Sequence, residues 1–385
     1  MTAAVNPDAL RILSAGAAQG LATAIARHEG IALAGTFGAV GGILEKFLAG
    51  EPCDIVILTH AQVAQLTARN RVALDLVSDL GAVRTSVAVR AGDEKPDVST
   101  PGALRAALLA ADEIFLPDPQ KATAGIHFAG VLAKLGIAQE VASRLRPHPN
   151  GMTAMRALSE AGRHPIGCTQ TTEILATPGV SLVAPLPEEH ELATVYTVAL
   201  KADTARAEAR AFALQLTDAA TAMARTAAGF EGAAIRRATA ADTSAARELV
   251  FAILKEYGFT PEPQGTDADL ADLDAGFLAG GGLFDVAVDP DGSLAACCGM
   301  KILADGRLEL RKMYVRRDCR GRGLGRRLLD RALAWARARG HARVELETAT
   351  RLEEAIALYR KAGFVERPGK PGTCRCDLAF ELELS

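Results

Sequence analysis

Residues 283–315 read LFDVAVDPDGSLAACCGMKILADGRLELRKMYV, three apolar, strand-like runs separated by two Asp-Gly steps. Asp-Gly supplies the backbone geometry of a tight reversal, so the runs are predicted to form an antiparallel meander. What comes next restricts the chain further. Residues 319–330, CRGRGLGRRLLD, place three glycines and four arginines between the third run and an apolar helical pattern. A glycine loop at a helix start leaves the first N–H groups, the positive end of the helix dipole, open to an anion. A P-loop is excluded, because no Gly-Lys-Ser/Thr ending is present. A dinucleotide fingerprint is excluded as well, since counting G-x-G-x-x-G from Gly321 puts Arg326 at the third glycine. Counted from Arg320, the loop reads R-x-x-G-x-G.

The rest of the chain obeys a different pattern. From Leu10, short apolar runs alternate with helical segments: RILSAG, IALAGTFG, CDIVILT, EIFLPDP and HPIGCTQT each read as a strand. Such alternation predicts mostly parallel sheet covered by helices. One long Ala-rich helix, TARAEARAFALQLTDAATAMARTAA, is expected to close this part, and GFEGAA reads as a linker. At 385 residues the chain exceeds one ordinary domain, which supports a division into 1–231 and 232–385. The fold class expected is α/β, with an α+β second domain.

Composition excludes several roles. A net charge of −3 makes nucleic acid an unexpected partner despite the local arginines. Seven cysteines fit no disulfide framework, and Cys297-Cys298 and Cys374-x-Cys376 lack a nearby His or second CxxC, so no metal site is expected. The first twenty residues show neither a basic n-region nor an apolar h-region, and no apolar run reaches the length of a membrane span. The expectation is a cytoplasmic protein with no membrane partner.

The second half, about Ile235 to Glu383, resembles the GNAT family of acetyl-CoA-dependent N-acetyltransferases. The loop Arg320–Gly325, LELRKMYV before it and AIALYRKAGF after it carry the likeness. The resemblance implies acetyl-CoA as cosubstrate, with its pyrophosphate on the loop formed by Arg320, Gly321, Arg322, Gly323, Leu324, Gly325 and Arg326. The pantetheine arm would run along Met313, Tyr314 and Val315. Arg320, Arg322 and Arg326 are expected to neutralise the pyrophosphate, although a tight turn with solvated arginines would leave the same motif. Tyr359 matches the family's proton donor to the departing thiolate. Periodicity alone also fits a core tyrosine, because Leu352, Ala355, Ile356 and Tyr359 share one helical face. An aliphatic amine of pKa about 10 is only about one part in a thousand neutral at pH 7, so a base is needed. Glu309 stands where many relatives carry it, with Glu345 and Glu347 as competitors. Many relatives have an Asn near the start of the last helix, where this chain has Thr350-Arg351-Leu352-Glu353.

The first half, roughly residues 10–230, resembles the periplasmic type 2 solute-binding proteins, particularly their molybdate-binding branch. TFGAVGGILEKFLAGEPCDIVILT and PDPQKATAGIHFAGVLAKLGI carry that likeness. It implies two lobes around a cleft for a small anion. Ser14, Thr59 and Thr123, each at a polar turn opening a helix, are the ligand candidates; Thr36, Gly38 and Val40 are weaker ones, and Gln170 lies where relatives differ. The function expected is direct acetyl transfer to an amine of a small molecule or protein, with a fused ligand-binding domain that regulates it. The competing reading is a small-anion sensor whose acetyltransferase domain is weak or inactive.

Overall fold

The computed structural model describes residues 8–368, 371–372 and 375–384. Cys374 lies outside them. The chain divides into two compact units, one of Met1–Val63 and Asp79–Gly232, the other of Ala64–Ser78 and Ala233–Ser385.

The first unit is built from β1 (Leu10–Ala15), β2 (Leu33–Gly38), β3 (Ile55–Thr59), the part from Asp79 onward of the long strand β4 (Val72–Arg90), β5 (Glu113–Pro117), β6 (Leu145–His148), β7 (Pro165–Gln170), β8 (Val180–Pro185) and β9 (Ala193–Lys201). The apolar runs pair as their alternation with helices predicts: β1 is parallel to β2 and β3, and β5 is parallel to β6 and β7. Antiparallel β9 borders β3, while β4 pairs antiparallel with both β7 and β8. One core around β5 and β7 buries Val87, Ile114, Leu116, Phe128 and Ile166.

The single Ala-rich helix expected before the linker is broken. The structure has a helix over Ala207–Gln215 and another over Ala222–Ala227. Between them the Asp218 carboxylate accepts from the Ala220 N–H at 2.8 Å, and Arg225 donates to the Leu216 and Asp218 carbonyls. Aspartate and threonine side chains offer the backbone local alternatives to helix, and here they win over alanine propensity.

The second unit contains one sheet in the order β10 (Ala234–Arg237), β11 (Leu283–Val288), β12 (Leu294–Ile302), β13 (Leu308–Val315), β14 (Arg343–Thr348), β16 (Leu378–Glu383) and β15 (Val365–Glu366). The meander is present, with Gly292 and Gly306 at φ 85° and 84° in its two turns. Helix Leu324–Ala338 buries Leu328, Leu329, Ala332 and Trp335 against Ala295, Cys298 and Val344. On the other side, helix Thr243–Glu256 packs Val250, Ile253 and Leu254 on Phe284, Val286 and Cys297. A capping box between Thr239 and Asp242 heads the short turn Ala240–Asp242 that leads into that second helix.

Candidate functional site

In the second unit, β13 and β14 are parallel but pair at only two positions, Glu309↔Glu345 and Leu310↔Leu346. Beyond them β13 runs on through Arg311–Val315 with no strand pairing on that edge among the described residues. The cause lies on the opposite edge. The β12–β13 register shifts between Cys297 and Gly299, which leaves an extra residue on β13, and Lys312 has a left-handed φ of 52°. A bulge of this kind bends its strand and raises the local twist, so β13 turns away from β14.

A left-handed lysine is uncommon, and this one is held by its side chain. Lys312 Nζ donates to the Thr266 carbonyl at 2.9 Å and to Asp267 Oδ1 at 2.5 Å, and stands 3.3 Å from Asp269. Arg375 also bonds Asp267, at 2.8 Å, and Arg311 pairs with Asp269 at 3.2 Å. Burial alone would raise the Asp267 carboxyl, but the hydrogen bonds from Arg375 and Lys312 outweigh it and hold the carboxyl far below its usual range. Neither Lys312 nor this carboxylate pair was singled out in the sequence. The signal available was weak: a lysine in an alternating strand, and two aspartates in a loop that reads as solvated.

The opened edge of β13 lines a cavity of about 400 Å³. Met313, Tyr314 and Val315 form one wall, and Arg320, Gly321, Gly323, Leu324, Gly325 and Arg326 form another. The predicted loop and strand are therefore brought together. Gly321 and Gly323 adopt φ of 76° and 75°, which side chains resist, and a Cβ at either would meet nothing within 4 Å. Gly323 is also the N-cap of helix Leu324–Ala338, and no side chain caps it, so the first-turn amides face an open approach.

The three loop arginines are not equivalent. Arg320 donates to both Glu256 carboxylate oxygens at 2.7 and 3.1 Å, and its Nε donates to the Val315 carbonyl. It therefore ties the loop to β13. Arg326 is paired with Asp330 four residues along. Arg322 is exposed, does not line the cavity, and has no ion-pair partner among the described residues.

Tyr359 lies in the same cavity. It is 6% exposed, its ring packs 5.8 Å from that of Phe364, and its hydroxyl has no hydrogen-bond partner among the described residues. The core role and the cleft role thus coexist. Burial pushes its pKa well up, so the phenol stays protonated near neutrality. Cys319 also lines the cavity, but burial and then the Asp289 carboxylate push its thiol up, which removes the thiolate a nucleophile would need.

A second, smaller cavity of about 50 Å³ is lined by Glu309 and Glu347 together with Thr266, Arg311, Lys312, Tyr314, Arg375 and Cys376. Tyr314 lines both cavities. Burial raises the Glu309 pKa, Arg311 opposes this, and Glu347 and Asp269 add to it. Glu345 is placed differently: it accepts from Arg307 at 2.7 Å and from Arg367 at 2.9 Å. Glu347 accepts the Gly372 N–H at 2.6 Å. Thr350, at the position of the missing Asn, bonds Asp377 through both its N–H and its hydroxyl.

In the first unit, a small cavity of about 20 Å³ is surrounded by helix starts. Ala15 precedes the turn leading into helix Gln19–His28, Ala39 precedes helix Val40–Leu48, and Ala122 precedes helix Thr123–Lys134. Alanine cannot cap, so these starts keep their first amides free of side-chain partners. At the fourth start, Asn150 forms a capping box with Thr153 ahead of helix Gly151–Ser159. Glu173, Tyr196, Gln170 and Thr123 complete the lining.

The hydroxyl candidates separate here. Thr123 lines the cavity, and so do Gly38, Val40 and Gln170. Ser14 does not: it is wholly buried, and its hydroxyl donates to the Ala15 carbonyl at 2.9 Å. Thr59 bonds Gln62 at the start of helix His60–Ala68, and Thr36 is turned to Glu51. Sequence reasoning looked for hydroxyls at these turns and passed over the alanines whose amides line the wall. It also missed Glu173 and Tyr196, which come from a buried helical turn and from β9.

A family model described as bacterial extracellular solute-binding protein matches residues 12–231, and one described as the acetyltransferase (GNAT) family matches residues 247–364. An aconitate isomerase from a Pseudomonas species is 28% identical over 174 residues, 45% of this chain and 64% of that protein. The chain thus spans just under two thirds of that relative. The uncharacterized N-acetyltransferase YjgM of Escherichia coli K12 is 35% identical over 135 residues, 34% of this chain and 80% of that protein. The molybdate-binding protein ModA of Escherichia coli K12 is 26% identical over 199 residues, 51% of this chain and 77% of that protein. No helix among the described residues is long and apolar enough to cross a membrane. The chain belongs to the bacterial extracellular solute-binding protein family through its first part and to the GNAT acetyltransferase family through its second.

Proposed function

We propose that the chain is an N-acetyltransferase that moves the acetyl group of acetyl-CoA directly to an amine, and that its first unit binds a small anion that tunes this activity. The observation that carries the reading is the 400 Å³ cavity in which an unpaired strand edge, an uncapped helix start and a buried tyrosine hydroxyl meet. The amides at Gly321–Gly325 suit a pyrophosphate, and the open edge at Met313–Val315 suits a chain of amides. Glu309, in the adjoining small cavity, takes the proton from the acceptor amine, and its raised pKa matches that task better than an ordinary carboxylate. As the amine displaces the thiol from the acetyl carbon, the Tyr359 hydroxyl supplies the proton to the leaving sulfur. No acyl-enzyme is needed, in keeping with the elevated Cys319 thiol.

Acceptor recognition falls to the residues around Glu309. Thr266, from the segment between the helix Thr243–Glu256 and β11, lines that cavity, which supports a role for the segment in choosing the acceptor. For the first unit, the support is the ring of helix starts, together with relatives whose names are those of a molybdate-binding protein and an aconitate isomerase.

The test is calorimetric titration of the whole protein with acetyl-CoA, beside Gly323→Glu, which sets a carboxylate in the loop. Micromolar binding to the native protein and its loss in the variant are expected. Absence of binding to the folded native protein would leave the acetyl-transfer reading without a basis. Regulation is tested separately: acetyl transfer rates that ignore every ligand shown to bind the first unit would end it.

A further inference from the structure

The lining of the cavity in the first unit includes no Lys, Arg or His and does include a carboxyl group. Glu173 already takes donors that a bound anion would use. Thr169 Oγ1 donates to Glu173 Oε2 at 2.5 Å, and the backbone at Gly151, Met152 and Gln170 also bonds the carboxyl. Two glycines make room for it. A Cβ on Gly151 would lie 1.9 Å from Oε2, and a Cβ on Gly16 would lie 2.5 Å from Oε1. The carboxyl therefore sits between the start of helix Gly151–Ser159 and the turn before helix Gln19–His28.

Other groups in the wall remain uncommitted. Tyr196 is 3% exposed, lines the cavity, and its hydroxyl has no hydrogen-bond partner among the described residues. The Thr123 hydroxyl, half-buried beside it in the lining, is likewise without one. Neither hydroxyl is spent on a protein partner among the described residues, so both are suited to a ligand in the cavity that accepts from them.

The ligand must also tolerate Glu173. Two negative groups in one poorly solvated site cannot both stay ionised, and one of them takes a proton. A tetrahedral dianion keeps a second charge after one proton is supplied. A carboxylate does not: it and Glu173 can share a single proton and carry one negative charge between them, facing the partial positive charge of the helix starts.

Resting on the reading of this unit as a ligand-binding domain, we propose that its cavity is a carboxylic-acid site. One carboxyl group of an organic acid pairs with Glu173 through a shared proton and is completed by Tyr196, Thr123 and the uncapped helix starts; inorganic oxyanions are rejected. Burial raises the Glu173 pKa; above that raised value the proton comes from solvent, so binding takes up one proton and weakens as pH rises, by up to about tenfold per pH unit. Tyr196 is the other titratable side chain in the lining, and burial followed by the Glu173 charge pushes its pKa far above this range. It therefore stays neutral throughout.

The experiment is calorimetry on the whole chain at pH 6 and pH 9, with acetate, pyruvate and lactate against molybdate and sulfate, each in two buffers of different ionisation enthalpy. At least one carboxylate is expected to bind, at least tenfold more weakly at pH 9, with net proton uptake, while neither oxyanion binds. Glu173→Gln is expected to remove the pH dependence and to admit an oxyanion. Should that variant fail to fold, proton uptake by the native protein decides the matter. Binding of molybdate or sulfate by the native protein would overturn the inference and leave the ligand-binding reading standing. Carboxylate binding without pH dependence or proton uptake would overturn it too. Failure of both ligand classes would end both readings.

Discussion

Lys312 Nζ lies 2.5 Å from Asp267 Oδ1, with the two side chains 3% and 0% exposed, so the bulge that opens the edge of β13 is pinned by a buried ion pair. The backbone at Lys312 would not choose φ 52° unaided. Hydrogen bonds to Asp267 and to the Thr266 carbonyl hold it there and, with it, the angle at which β13 leaves β14. Lys312→Met should leave Asp267 to Arg375 and Asp269 to Arg311, with a buried negative charge left under-compensated. A loss of about 3 kcal/mol in urea unfolding is expected, as for breaking a buried pair, together with weaker acetyl-CoA binding. The pH dependence follows from the depressed Asp267 carboxyl. Its stabilisation is complete above the unfolded carboxylate pKa of about 3.9 and is lost as pH falls toward the lower folded value. Native protein should therefore lose stability more steeply below about pH 4 than Lys312→Met does. Equal slopes would mean that Lys312 does not hold that carboxyl down.

Tyr359→Phe keeps the ring that packs on Phe364 and removes only the hydroxyl in the cavity. The expected result is a fall in kcat of roughly 10²–10⁴-fold, the usual range for a general acid, with acetyl-CoA affinity unchanged. Steady-state rates with a thiol-detecting assay, read beside calorimetry, separate the two effects. A variant with normal kcat would return Tyr359 to a packing role.

Glu309 must be ionised to accept a proton, and burial places its pKa above the ordinary glutamate value. Activity should therefore decline as pH falls through a limb lying above about 4.3, the unperturbed glutamate pKa. Glu309→Gln should lower kcat/KM near neutrality and abolish that limb, whereas Glu345→Gln should mainly release Arg307 and Arg367 and reduce stability. Survival of the limb in Glu309→Gln would move the role to Glu347, which shares the small cavity.

The sequence made some of this architecture easy to see and hid the rest for physical reasons. The meander and the glycine loop were legible because Asp-Gly turns and closely spaced glycines act locally, through φ alone. The apolar face of Tyr359 was legible in the spacing of one helix, whereas its place in the cavity was implied by the family resemblance. The Lys312–Asp267 contact spans 45 residues and joins a strand to a loop, so no periodicity announces it. The long strand β4 was also unread. It carries polar residues at Asp75, Ser78 and Asp79 and a glycine at position 81. Gly81 has φ 135° and lies where a Cβ would come within 3.0 Å of the Glu231 carbonyl, a contact made 150 residues downstream. In the first unit, polar side chains at helix starts were the legible cue, yet Ser14 and Thr59 spend their hydroxyls locally. Backbone amides behind alanines leave no mark in a sequence.

The loop arginines provide the last test, because position in the motif does not predict their work. Arg320 bridges Glu256 and the Val315 carbonyl and stacks 5.2 Å from the Tyr257 ring, so it shapes the loop from beneath. Arg320→Ala should lower stability by about 1–3 kcal/mol through the charged hydrogen bonds lost, and should weaken acetyl-CoA whatever the salt. Arg322 is exposed and carries no ion pair among the described residues. Arg322→Ala should leave the unfolding midpoint unchanged and weaken acetyl-CoA at low ionic strength only. Screening over about 10 Å at 0.1 M salt should shrink that difference as salt is added. Calorimetry at two salt concentrations, paired with urea unfolding, distinguishes the two. If Arg322→Ala loses affinity equally at both, its guanidinium makes a close, desolvated contact with the phosphate rather than a screened one.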